Sequence, residues 1–166
     1  MALTITGSDA DSYADLTYAN AYAAEYFIGD DLTGWTAATD PQKEASLRQA
    51  TQYLDNRFRS RFVGVIQSES QSLEWPRNGA VDQSGRYINQ VPEQIKQATV
   101  ELAKARIVSG TNLVPDEARG GAIKRAKVGS LEVEYSDNAP AGTDYRFSDS
   151  LVSGLLKTRG NRLLRV

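Results

Sequence analysis

The sequence predicts a mainly α fold: a small helical bundle with a long loop, a β-hairpin, and a C-terminal helix plus extended tail. Three observations carry this reading. Apolar residues recur every three or four positions in three separate stretches, the mark of amphipathic helices. Two of those stretches open on a proline, Pro41 and Pro92, where a helix tolerates the missing N–H. The period then drops to two in Leu131-Glu-Val-Glu-Tyr135, as in a half-buried strand. At 166 residues the chain fits one domain with an appendage. We divide it into a helical core at 1–121 and, at 122–166, the hairpin, a short helix and a docking tail.

A first helix is expected over 15–28. Leu16, Ala19, Ala23 and Tyr26 or Phe27 share a face, and Asp15 can cap the start. Tyr18, Tyr22 and Tyr26 also align, which reads as core or helix–helix contact. Gly29-Asp-Asp31 ends the helix, and Trp35 falls in a Thr/Ala-rich turn. A second helix is expected over 41–58, with Asp40 as N-cap and Pro41 as its first residue. Leu47, Ala50 or Thr51, Leu54 and Phe58 form its apolar stripe. Arg57, Arg59 and Arg61 gather at its C-terminal end, where cations suit the helix dipole.

Residues 62–90 show no sustained helical period and read as a loop, with a turn signal at Asn78-Gly79. Inside it, Leu73-Glu-Trp-Pro-Arg77 sets Trp75 and Pro76 as the anchor that ties the loop to the helices. The alternative role for Trp75 is a stacking platform for bases. Pro92 then opens a third helix, in which Ile95, Ala98 or Thr99, and Leu102 repeat until Gly110 stops it.

Residues 122–128 and 131–135 flank Gly129-Ser130, a pair that suits a type II′ hairpin turn. Lys124, Arg125 and Lys127 can then face Glu132 and Glu134 across the hairpin. A short fourth helix is expected over 147–158, with Ser148 as its cap, followed by a tail.

The chain has no cysteine and no histidine. That excludes thiolate chemistry, the Ser-His-Asp triad and the usual zinc centres. Asp30-Asp31 matches no calcium loop, and Gly120-Gly121 lacks the context of a phosphate loop. We therefore expect no enzymatic activity, no metal and no cofactor. The start of the chain lacks a signal-peptide pattern, and no stretch nears the roughly 20 apolar residues of a spanning helix. Synthesis inside the cell and no membrane partner are expected.

The net charge of −2 conceals a segregation. Residues 1–40 hold seven acids and no Lys or Arg, which leaves 14 acids against 19 bases in residues 41–166. After Asp149 come only Lys157, Arg159, Arg162 and Arg165. Such a molecule has an acidic end and a basic end, suited to head-to-tail contacts or charged partners. A groove for single-stranded nucleic acid could be assembled from Arg57, Arg59, Arg61, Arg77 and Arg86 with Phe58, Phe62, Trp75 and Tyr87. The pI of about 5.2 argues against it. Candidate partner-binding residues are Lys124, Lys127, Gly129 and Ser130 on the hairpin, with Lys157, Arg159, Arg162, Leu163, Leu164, Arg165 and Val166 in the tail. Docked, those last residues combine apolar burial with charge-assisted hydrogen bonds.

Four segments carry a family resemblance: Asp11-Ser-Tyr-Ala-Asp-Leu-Thr-Tyr-Ala-Asn-Ala-Tyr22, the run from Trp35 through Asp40-Pro41 to Asp55, Leu73-Glu-Trp-Pro-Arg-Asn-Gly79, and Val91-Pro-Glu-Gln-Ile95 onward. In that order they resemble the small head–tail connector, or head-completion, proteins of tailed bacteriophages. Sequences of that type often bear the label DnaT-like single-stranded-DNA-binding protein. The resemblance implies a helical protomer in a homo-oligomeric, commonly dodecameric ring under the portal protein. Such a ring extends the channel for passing double-stranded DNA without sequence specificity and offers a face to the next tail or connector protein. It places the protein in the virion, with synthesis in the host cytoplasm. The label implies the alternative, a single-stranded-DNA-binding replication protein of primosome type.

Overall fold

The computed structural model describes residues 3–110, 113, 125–128, 131–134 and 145–157. Within them the protein is mainly α, with five α-helices and three two-stranded antiparallel sheets. Helix α1 spans Leu16–Tyr26. Asp15 caps it, its carboxylate accepting from the Tyr18 N–H at 2.7 Å. Ala19, Tyr22 and Ala23 face the core.

The expected turn around Trp35 is instead a helix, α2, Asp30–Ala37. Gly29 takes φ +57°, a left-handed backbone that lets the chain turn sharply out of α1. Asp30 and Asp31 then put negative charge in the first turn, where the dipole favours it. Two turns are too short to show a period, which is why the sequence conceals this helix. Trp35 is 2 % exposed, packs edge-on to Phe27, and donates from Nε1 to Asn20 Oδ1 at 3.0 Å.

Helix α3 spans Asp40–Phe58 and starts one residue earlier than expected. Thr39, not Asp40, is the N-cap, and its N–H donates to Gln42 Oε1 at 2.9 Å. Leu47, Ala50, Thr51, Leu54 and Phe58 are buried along its core stripe. Helix α4, Glu93–Ser109, follows Pro92 and ends at Gly110 in the left-handed region.

The expected long loop carries four two-residue strands. Strand β1 (Val65–Ile66) pairs with β2 (Arg77–Asn78), and β3 (Ala80–Val81) with β4 (Tyr87–Ile88). Gly79 at φ +64° separates β2 from β3. Gly64, at φ +72°, lets β1 cross close to that turn: a Cβ there would sit 2.6 Å from the Asn78 carbonyl oxygen. The Trp75–Pro76 peptide is cis.

Strands β5 (Arg125–Val128) and β6 (Leu131–Glu134) form the expected hairpin. Its register sets Lys127 opposite Glu132 and Arg125 opposite Glu134. Helix α5 spans Arg146–Val152 and passes into a 3₁₀ turn, Ser153–Leu155. Ser148 is therefore not its cap: the helix begins two residues earlier, after Tyr145, and Ser148 is buried inside it.

Two long helices organise the core. The first half of α3 (Gln42, Ala45, Gln49) lies beside the last turn of α4 (Arg106, Ile107), with Arg106 Nε donating to Gln49 at 3.1 Å. The two therefore run antiparallel, and the C-terminal end of α3 lies toward the start of α4. Helix α1 runs parallel to α4, since Tyr18 donates to Glu93 at 2.5 Å and Tyr22 to Glu101 at 3.1 Å. Tyr18, Tyr22 and Tyr26 stack in sequence along this contact. Helix α5 packs on α4, and Val152, Leu155 and Leu156 join Phe62, Leu102 and Trp75 in one apolar cluster.

Candidate docking and nucleic-acid interface

The C-terminal end of helix α3 is partly negative through the helix dipole and favours cations. Arg57 reaches Asp149 at 2.5 Å and lies over the Tyr53 and Phe58 rings. Arg61 lies 5.7 Å from the centre of the Phe58 ring. Arg59 is 63 % exposed and reaches Glu74 at 3.5 Å.

The segment that leads to residue 157 is stitched to this end of α3. Phe62 and Leu156 form an antiparallel bridge. The Val63 N–H donates to the Leu155 carbonyl at 3.0 Å, and the Lys157 N–H to the Arg61 carbonyl at 2.7 Å. Leu155 and Leu156 are buried beneath, while the Lys157 side chain is exposed. Arg59, Arg61 and Lys157 thus share one edge of the protein.

The structure buries the aromatic rings that a single-strand groove would need to expose. Phe58, Phe62 and Trp75 are core residues, and Trp75 packs edge-on to Phe62 with ring centres 5.7 Å apart. At 2 % exposed, Trp75 has no open face for a stacked base. Arg77 is buried too: it donates to the Val63 carbonyl at 2.9 Å, the Gly64 carbonyl at 3.1 Å and Glu74 at 2.7 Å. It clamps the β1–β2 hairpin and, at 7 % exposed, is not presented to a phosphate outside. Arg86 and Tyr87 project from the β3–β4 turn, and Arg86 holds Asp82 at 2.8 Å. Gln83 in the same loop donates to the Ser153 carbonyl at 3.3 Å.

Among the other candidates, Lys127 lies on β5. Lys124, Gly129, Ser130, Arg159, Arg162, Leu163, Leu164, Arg165 and Val166 lie outside the described residues. Pro76 follows Trp75 across the cis bond, and its carbonyl accepts from Gln71 at 3.1 Å. Beside it lies an apolar cavity of about 410 Å³, lined by Ile5, Ala10, Tyr13, Leu73, Trp75 and Val91 among others.

One polar cluster was not legible in the sequence. The Tyr13 hydroxyl donates to Asp55, whose other oxygen accepts from the Glu74 N–H at 3.2 Å. The Trp75 N–H donates to the Tyr13 oxygen at 3.3 Å. Burial raises the Asp55 carboxyl to about 6, even though the Tyr13 hydrogen bond works the other way. The cluster is walled in and ties three segments together. Among the described residues no group of three or more carboxylates could hold a metal ion.

The protein-family model described as "Putative DnaT-like ssDNA binding protein" matches residues 1–166. The chain belongs to that family. No curated protein and no solved structure matches it. Arg59, Arg61, Arg86, Tyr87 and Lys157 are exposed. Sequence reading missed the isolation of Arg86 and Tyr87 from the other aromatics. The signal was present in Asp82-Gln-Ser-Gly-Arg86, a turn that carries the next two residues away from the core.

Proposed function

We propose that this protein is a structural head–tail adaptor of a tailed phage. It forms a ring under the portal, extends the DNA channel and joins the next tail component. It has no enzymatic role. The observation that carries the reading is the pairing of residues 61–63 with 155–157. A connector needs a firm core that launches a docking segment from a fixed point. Here the basic sequence after Lys157 starts from two backbone hydrogen bonds at the edge of the core. The buried state of Phe58, Phe62 and Trp75 supports the same reading, because it removes the aromatic platform of a single-strand groove.

Channel DNA must slide, and each phosphate contact adds to binding and to its salt dependence. An overall acidic protein with one local basic edge fits weak, non-specific contact with a double strand. The test is to mix the purified protein with the portal ring and remove residues 158–166 in parallel. Full-length protein joins the portal, and the truncated protein folds but does not. Normal joining by the truncated form would overturn the docking role.

A second reading, a single-stranded-DNA-binding replication protein, is favoured by the family description and by the exposed Arg86–Tyr87 pair. Tight single-strand binding that persists at high salt and falls on Tyr87→Ala would support it.

A further inference from the structure

We propose that the α1–α2 corner of one copy docks on the C-terminal edge of α3 in a second copy; this deepens the ring reading above and rests on it. Ile28 is 83 % exposed and Tyr26 56 %, and the two lie two residues apart at this corner. Exposed Glu25 and Asp30 flank them, and neither forms an ion pair among the described residues. The corner is firmly held: Lys104 reaches Asp31 at 2.9 Å and lies 4.7 Å from the centre of the Phe27 ring. The apolar pair is therefore fixed in an outward position and surrounded by acid, in a stretch without any Lys or Arg.

The complementary surface is the edge that carries Arg59, Arg61 and Lys157, all three exposed. The acid of the corner meets the base of the edge. An arginine over Tyr26 would add the attraction of a cation for a ring face. A two-fold contact through either surface alone would set like charges together. A contact that joins the corner of one copy to the edge of the next pairs opposite charges.

The placement in the fold permits it. The corner is bound to α4 at Lys104, late in that helix. The arginines follow the C-terminus of α3, which runs antiparallel and so ends toward the start of α4. From Ile95 to Lys104 the axis advances roughly 14 Å at 1.5 Å per residue. The two surfaces thus lie toward opposite ends of the protomer, and repetition of a heterologous contact gives a ring or a filament.

The chain has no cysteine, so introduced thiols are unique. Ala24→Cys marks the corner and Ser60→Cys marks the basic edge, and both positions are exposed. Equal amounts of the two proteins are mixed at a concentration where the full chain sediments as an oligomer, then treated with a short bismaleimide. Linked heterodimer should exceed either homodimer at least tenfold. Ile28→Lys in the corner-marked protein, or Arg61→Glu in the edge-marked one, should abolish the excess. A statistical mixture of the three products, or an excess that survives both changes, overturns the contact. If the chain still forms a ring on the portal in that case, the adaptor reading stands without it. A chain that stays monomeric in solution at millimolar concentration and also forms no ring on the portal overturns both.

Discussion

The Lys157 N–H donates to the Arg61 carbonyl at 2.7 Å, so the segment from α5 closes on the end of α3 as a miniature antiparallel pair. Apolar support for the core lies just before this bond, at Leu155 and Leu156, which are buried. Truncation after Lys157 should therefore leave thermal melting nearly unchanged. Leu155→Ala should cost about 2–5 kcal/mol through lost burial and a cavity. Melting curves of both proteins check this, and a truncated form that unfolds would show that residues after 157 support the core.

Trp75→Ala should cost about 3–5 kcal/mol, since the ring fills the space between Phe62 and the β1–β2 hairpin. The indole Nε1 meets no acceptor among the described residues. Trp75→Phe therefore loses packing but no hydrogen bond and should cost clearly less. Urea unfolding of the two variants separates packing from hydrogen bonding; equal losses would contradict this account of the site.

Asp55 gives a pH dependence with a definite sign. Its carboxyl is raised to about 6 in the folded protein by burial, against about 3.9 in an unfolded chain. Below pH 4 both states hold the proton. Between pH 4 and 6 the folded state keeps a proton that the unfolded state has lost. The stabilisation from protonated Asp55 is therefore fully present below pH 4 and is lost as pH rises through 6. The change is on the order of 3 kcal/mol. Asp55→Asn should flatten the stability profile between pH 4 and 7. Identical slopes for the two proteins would remove Asp55 from this role.

Gly64→Ala should be more harmful than Gly79→Ala. Both residues have positive φ, which costs an alanine about 1–2 kcal/mol. At Gly64 the added Cβ would also meet the Asn78 and Ala80 backbone within 3.0 Å, whereas at Gly79 nothing lies within 4 Å. Denaturation midpoints of the pair provide the check. Equal midpoints would mean that β1 can move away from the β2–β3 turn.

The long helices were legible because Leu47, Leu54, Ile95 and Leu102 repeat along one face over four or more turns. Helix α2 was hidden because eight residues hold few apolar repeats and its start depends on the positive φ of Gly29. The strands in 65–88 are two residues long, below any detectable alternation. They persist because Arg77 bonds two carbonyls of the neighbouring segment, a tertiary fact with no local pattern. The same holds for the candidate interface. The arginines at the end of α3 were visible in the sequence, but their neighbour Lys157 lies 96 positions after Arg61 and only folding joins them.

The most direct measurement is the mass of the complex formed when the full chain is added to the portal ring at physiological salt, with a single-stranded oligonucleotide present as competitor. The account predicts one closed ring of this protein per portal, unaffected by the oligonucleotide. A protein that ignores the portal and is recovered instead on the single strand would contradict it.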